Sequence, residues 1–214
     1  MLYIKDFWYY LLSAPGAICA LGLHEYVKAR ASFRQGDPLP RRRGRLRANP
    51  FSHMDPAGVI AMLLTGYGWA RPVPVSSTYY ADRRRGTLIT FVLPILASVI
   101  ACCAVASLLA VYKLYLQSSA APPFTGVWNV NFQIYRAVFF FARANLAVAL
   151  LNILPIYPLD GSAILAGFLP ANGEVKLAAL EKPLQLFLLL LLATGVVGMA
   201  FDPVINALLK FVIF

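Results

Sequence analysis

The sequence predicts an all-α integral membrane protein, a multispanning helical bundle with one re-entrant or hairpin segment. Three observations carry that expectation. Of 214 residues, 60% are hydrophobic and 13% charged, and the mean hydropathy of +0.68 lies well outside the range of soluble domains of this length. The apolar residues gather into three or four stretches near the roughly 20 residues that a helix needs to cross a bilayer core about 30 Å thick. The net charge of +10 comes mostly from one region, residues 28 to 86, which points to a sided topology. A single membrane-embedded domain over 1–214 is the natural reading.

The first helix is expected from about Phe7 to Arg30, with its strongly polar members His24, Glu25 and Lys28 at the C-terminal end. It is longer than a signal-peptide core and leads into those residues without a convincing cleavage site, so it reads as retained. The stretch RQGDPLPRRRGRLRANP then interrupts any period with Gly, Pro and Asp. Its arginines, with Arg71 and Arg83 to Arg85, read as the basic loops that hold one side of a membrane protein in the cytoplasm, rather than as a nucleic-acid patch.

The apolar segment at 58–70 is too short to span, and its bounding prolines and glycines suggest a re-entrant or hairpin element lying against protein. Residues 71–75, RPVPV, should be extended because alternating prolines exclude helix. A second helix is expected from about Gly86 to Leu116, anchored by Arg83 to Arg85, followed by an uncharged loop on the opposite side. A third runs from about Phe132 to Leu154 and carries Arg136, Arg143, Asn145 and Asn152. A last helix is expected from Pro183 to about Phe201, broken by Asp202-Pro203 before an apolar tail. Cys19, Cys102 and Cys103 read as core packing. Trp8, Tyr9, Tyr10, Trp69 and Trp128 read as an interfacial belt, and Asp37 and Asp55, each before proline, as turn formers. Arg143 is expected to line a polar groove.

If the basic loops share one side, the first and third helices both end on that side. His24 and Glu25 then meet Asp160, which follows the third helix.

His24 and Glu25 open the pattern H-E-x-x-H, in which histidines one helical turn apart bind zinc and the glutamate polarises the metal-bound water. Here the fifth position is Lys28, whose ammonium has no lone pair to donate. Further on come GRLRANPFSHMDPAG (44–58), GWARPVPV (68–75) and NILPIYPLDG (152–161). In this order, together with the His-Glu helix, they resemble the site-2 protease family of intramembrane zinc metallopeptidases over most of the chain.

That resemblance implies a bundle of the site-2 protease type in a bacterial cell membrane, with transmembrane segments of other proteins as substrates or binding partners and lipid around it. It implies His24 and Asp160 as zinc ligands, Glu25 as the catalytic residue, Asn152 as an active-site polar group and His53 as the histidine of the family's N-P-x-x-H-x-D-P stretch. The departures are Lys28 for the second histidine, Leu93 and Ala97 where many members carry Gly and Asn, and Ser162 after L-D-G.

Losing one of three protein ligands should weaken zinc binding by orders of magnitude. The first expectation is therefore a protein that has lost peptidase activity and binds membrane proteins, with no cofactor. In it, Lys28 replaces the metal and bridges Glu25 to Asp160. The alternative is an active zinc protease whose ligands are His24, His53 and Asp160. A third is a small proton or ion transporter built on the same intramembrane charges.

Overall fold

The computed structural model describes residues 7–118, 130–169 and 179–213. Its elements are α1 (Phe7–Arg34), α2 (Leu39–Arg42), α3 (Pro56–Thr65), α4 (Arg83–Ser118), α5 (Val130–Ile153), α6 (Asp160–Phe168), α7 (Glu181–Ala193) and α8 (Val196–Ile213), with 3-10 turns at Pro50–His53 and Ser77–Tyr79. No strand occurs among the described residues.

Helices α1, α4 and α5 pack against one another and form the centre of the bundle. Among the described residues two helices, α4 and α5, are long and apolar enough to cross a membrane, and the pair α7–α8 makes a third span if its 65° bend is counted within one crossing. The chain is a membrane protein. Although it has 28 residues, α1 is not among the spans that pass on length and composition. Its buried polar end lies against its neighbours instead: His24, Glu25 and Lys28 are all buried.

The segment expected at 58–70 is only half helical. Asp55 caps α3 by accepting from Ala57 N at 3.1 Å, and the helix stops at Gly66, whose φ of +85° only glycine adopts freely. The chain then returns without regular structure through residue 76. The two limbs touch so closely that a Cβ on Gly58 would fall 1.9 Å from Trp69 O. This is the hairpin the composition suggested, with a helical outward limb and a return that has no helix or strand.

Three other expectations are corrected. The last helix does not break at Asp202-Pro203: the chain turns at Thr194–Gly195, where Gly195 has φ +76°, and Pro203 lies inside α8, as Pro15 lies inside α1 and Pro94 inside α4. Proline ends helices less reliably where packed neighbours can satisfy the freed carbonyl. Trp69 is buried, not interfacial, and its indole donates to Asp55 Oδ2 at 2.7 Å. Of the cysteines only Cys102 is core, since Cys19 and Cys103 are exposed on the bundle's outer surface. Trp8's side chain and Trp128 lie outside the description.

Candidate functional site

Helix α1 presents His24, Glu25 and Lys28 within one turn of its C-terminal half, and the start of α6 supplies Asp160. A carboxylate in the first turn of a helix is favoured by the exposed N–H groups there. Asn152, at the end of α5, accepts from Asp160 N through its Oδ1 at 3.3 Å and donates through Nδ2 to Val148 O at 2.9 Å. It ties the two helices across the turn between them. The polar ends of α1 and α5 thus meet, as the charge asymmetry of the loops required.

His24, Glu25 and Asp160 offer one donor atom each within 4.8 Å of one another, all buried, a spacing a single metal ion could use. The protein itself already engages each of them. His24 Nε2 donates to Asp160 Oδ2 at 2.9 Å, and its Nδ1 lies 3.2 Å from Ser98 Oγ on α4. Glu25 Oε1 is bonded to the Lys28 ammonium, while Glu25 Oε2 accepts from Val73 N at 2.8 Å. Asp160 Oδ1 lies 2.6 Å from Lys28 Nζ. Lys28 therefore bridges the two carboxylates, as the spacing of Glu25 and Lys28 on one helix face allows. An ammonium among the donors repels a dication, and both imidazole nitrogens have protein partners, so the residues as arranged do not fit a metal ion.

His53 stands outside this cluster. Its Nε2 donates to Arg47 O at 2.9 Å, and its Nδ1 is buried without a hydrogen-bond partner. Burial holds its imidazole below its ordinary pKa, against a smaller upward pull from the Arg47 carbonyl.

The return limb completes the centre. Pro72 and Pro74 have no N–H to offer, and three other amides of the limb are held: Arg71 N by His53 O at 2.9 Å, Val73 N by Glu25, and Ser76 N by Asp37 Oδ2 at 2.8 Å. Asp37 is more than a turn former. It is fully buried and also accepts from Ser32 Oγ and Leu39 N, each at 2.9 Å. Beside the limb lies a cavity of about 480 Å³ whose lining includes Lys28, Asp160, Val73, Phe91, Tyr157 and Ala163.

A second polar group forms where the hairpin turns. Arg143 Nη2 and Tyr67 Oη both donate to Asp202 Oδ1, at 2.6 and 2.7 Å, and the guanidinium carbon lies 5.8 Å from the Tyr67 ring centre. Arg143 thus meets polar partners as expected, in an ion pair that borders a cavity of about 550 Å³ on the Asp202 side.

Sequence reasoning missed Ser98 and the backbone of Val73. Ser98 was legible as a lone hydroxyl within the apolar run LPILASVI, where an intramembrane polar group needs a partner. Val73 carries no side-chain signal, since only its N–H acts.

The chain is 30% identical over 191 residues, 89% of its own length and 84% of the relative's, to "Putative zinc metalloprotease YwhC" of Bacillus subtilis (strain 168). It belongs to that metalloprotease family. No protein-family model and no solved structure matches the chain. Among the described residues, His24, Glu25 and Asp160 form a group with the spacing a metal ion could use, and the Lys28 ammonium stands among their donor atoms.

Proposed function

We propose that this protein is a member of the site-2 protease type that binds transmembrane segments of other proteins without cutting them. On this reading it resides in a bacterial cell membrane with its Arg-rich loops in the cytoplasm. The observation that carries the reading is the Lys28 ammonium bonded to both Glu25 and Asp160. A hydrolytic glutamate needs a carboxylate oxygen free to take a proton from water. Here one oxygen of Glu25 is held by Lys28 and the other by Val73 N. The ammonium supplies the positive charge that two buried carboxylates require, so the fold keeps its centre without an ion.

Zinc content measured by elemental mass spectrometry on detergent-purified protein tests this. Wild type should carry no stoichiometric zinc, and Lys28→His should gain nearly one ion per chain. Nearly one zinc per wild-type chain, lost in His53→Ala, would replace this reading with an active protease using His24, His53 and Asp160. The unpartnered Nδ1 of His53 is the feature that would serve it.

A further inference from the structure

We infer that Arg45 and Arg71, brought together beside the return limb of the hairpin, form a site for the phosphate of an acidic phospholipid. The inference is independent of whether the His24, Glu25 and Asp160 centre is active.

Both arginines are tied to the same short turn. The Arg45 N–H donates to Pro40 O at 2.8 Å, which fixes its main chain, and its guanidinium donates through Nη1 to Ser52 O. Arg71 is tied to the next residue, its N–H donating to His53 O at 2.9 Å, and it is exposed. Arg45 is only 8% exposed, yet Ser52 O is the one hydrogen-bond partner of its side chain among the described residues. A guanidinium carries five N–H donors, so most of them are unused. Neither arginine forms an ion pair among the described residues. Burial first, and then the charge of Arg71, hold the Arg45 pKa below its ordinary value, with Glu25 pulling the other way. Two like charges thus act on each other where buried charges are ordinarily paired.

The carboxylates within reach of this turn are committed elsewhere. Asp37 accepts from Ser32, Leu39 N and Ser76 N, Asp55 from Ala57 N and Trp69, and Glu25 from Lys28 and Val73 N. Residues 38–54 include Arg41, Arg42, Arg43, Arg45 and Arg47 and no acid. The surplus charge calls for an anion from outside the chain, and paired guanidiniums match the oxygens of a phosphate.

A neighbouring side chain favours a lipid as its source. Phe51 is 67% exposed, and its N–H donates to Asn49 Oδ1 at 3.0 Å, which sets the turn that presents it. An exposed ring one residue from the carbonyl that holds Arg45 suits the boundary between headgroups and acyl chains. A choline headgroup would bring its own cation towards the arginines, whereas a glycerol headgroup leaves the phosphate charge uncompensated.

The test measures phosphatidylglycerol bound to full-length protein in neutral detergent by native mass spectrometry, with phosphatidylcholine and inorganic phosphate as competing probes. Wild type should bind one phosphatidylglycerol about tenfold more tightly than phosphatidylcholine. Arg71→Gln should lower that affinity about tenfold, while Arg43→Gln, which removes the same charge elsewhere in the basic loop, should leave it within about twofold. Phe51→Ser should weaken lipid binding and leave any phosphate binding unchanged.

Equal losses in Arg71→Gln and Arg43→Gln would mean diffuse attraction to a basic surface and would overturn the site. Equal affinity of wild type for the two lipids would do the same. Displacement of the lipid by inorganic phosphate, with no effect of Phe51→Ser, would assign the two arginines to a free oxyanion and overturn the lipid. Because Arg71 is exposed and its tie to His53 runs through the main chain, Arg71→Gln leaves the turn's hydrogen bonds in place.

Discussion

Two charged clusters pin the same hairpin, one near the end of its return limb and one at its tip, and they differ in how completely the protein encloses them. At the return limb, His24, Glu25, Lys28 and Asp160 are all buried, and each carboxylate oxygen has a protein partner. At the tip, Arg143 and Asp202 form an ion pair of similar geometry, but their side chains are 19% and 44% exposed. A buried pair is costly to break because the remaining charge cannot be resolvated, whereas an open pair relaxes into whatever polar surroundings it has. Similar contacts should therefore carry different weight.

The largest effect should come from Lys28→Ala, which leaves Glu25 and Asp160 as facing carboxylates. About 3 to 5 kcal/mol of stability should be lost, read as a large fall in the melting temperature of the detergent-solubilised protein. An unchanged melting temperature would erase the distinction between the clusters.

Next should be Gly58→Ala, which tests the hairpin that both clusters hold. Its new Cβ would meet the Trp69 carbonyl oxygen at 1.9 Å, so one limb must move, at a cost of about 1 to 3 kcal/mol. Chemical denaturation should show the loss, and limited proteolysis should show earlier cutting around residues 66–76. A stable variant with unaltered proteolysis would mean that the limbs are not packed as described.

A smaller effect, about 1 to 2 kcal/mol, is expected for Ser98→Ala, which removes the partner of His24 Nδ1 inside the enclosed cluster. Nitrogen NMR of His24 should move with it, and an unmoved His24 signal would mean that Ser98 does not hold the ring.

Asp202→Asn should have the smallest effect, below about 1 kcal/mol, because the pair it weakens is half open. A loss as large as that of Lys28→Ala would mean that the surrounding bilayer or a partner encloses the tip cluster as fully as the protein encloses the other.

Much of the architecture was legible in local pattern. Apolar run lengths predicted α4 and α5 to within a few residues, since a spanning helix must be long and uniformly apolar. The hairpin followed from a run too short to span and bounded by Pro and Gly. The loop arginines implied that α1 and α5 end on the same side, and the contact between His24 and Asp160 agrees. The last bend was misplaced because Pro203 looked like a stronger breaker than Gly195. Proline's missing hydrogen bond is a local property, but whether a helix tolerates it depends on what packs around it. Trp69 was misassigned for a related reason: an indole near a segment end is as well suited to a buried carboxylate partner as to a lipid headgroup.

The sequence by itself determined the membrane class and the grouping of His24, Glu25 and Lys28 at one end of an apolar helix, because residue type and spacing carry these directly. Only the tertiary structure decided what Lys28 does. Glu25 lies on the same helix, within reach of a lysine one turn away, but Asp160 arrives from α6, Ser98 from α4 and the Val73 amide from a proline-held return limb. Bringing four segments to one buried point depends on the packing of the whole bundle. A buried charge is settled by the partners that packing brings to it.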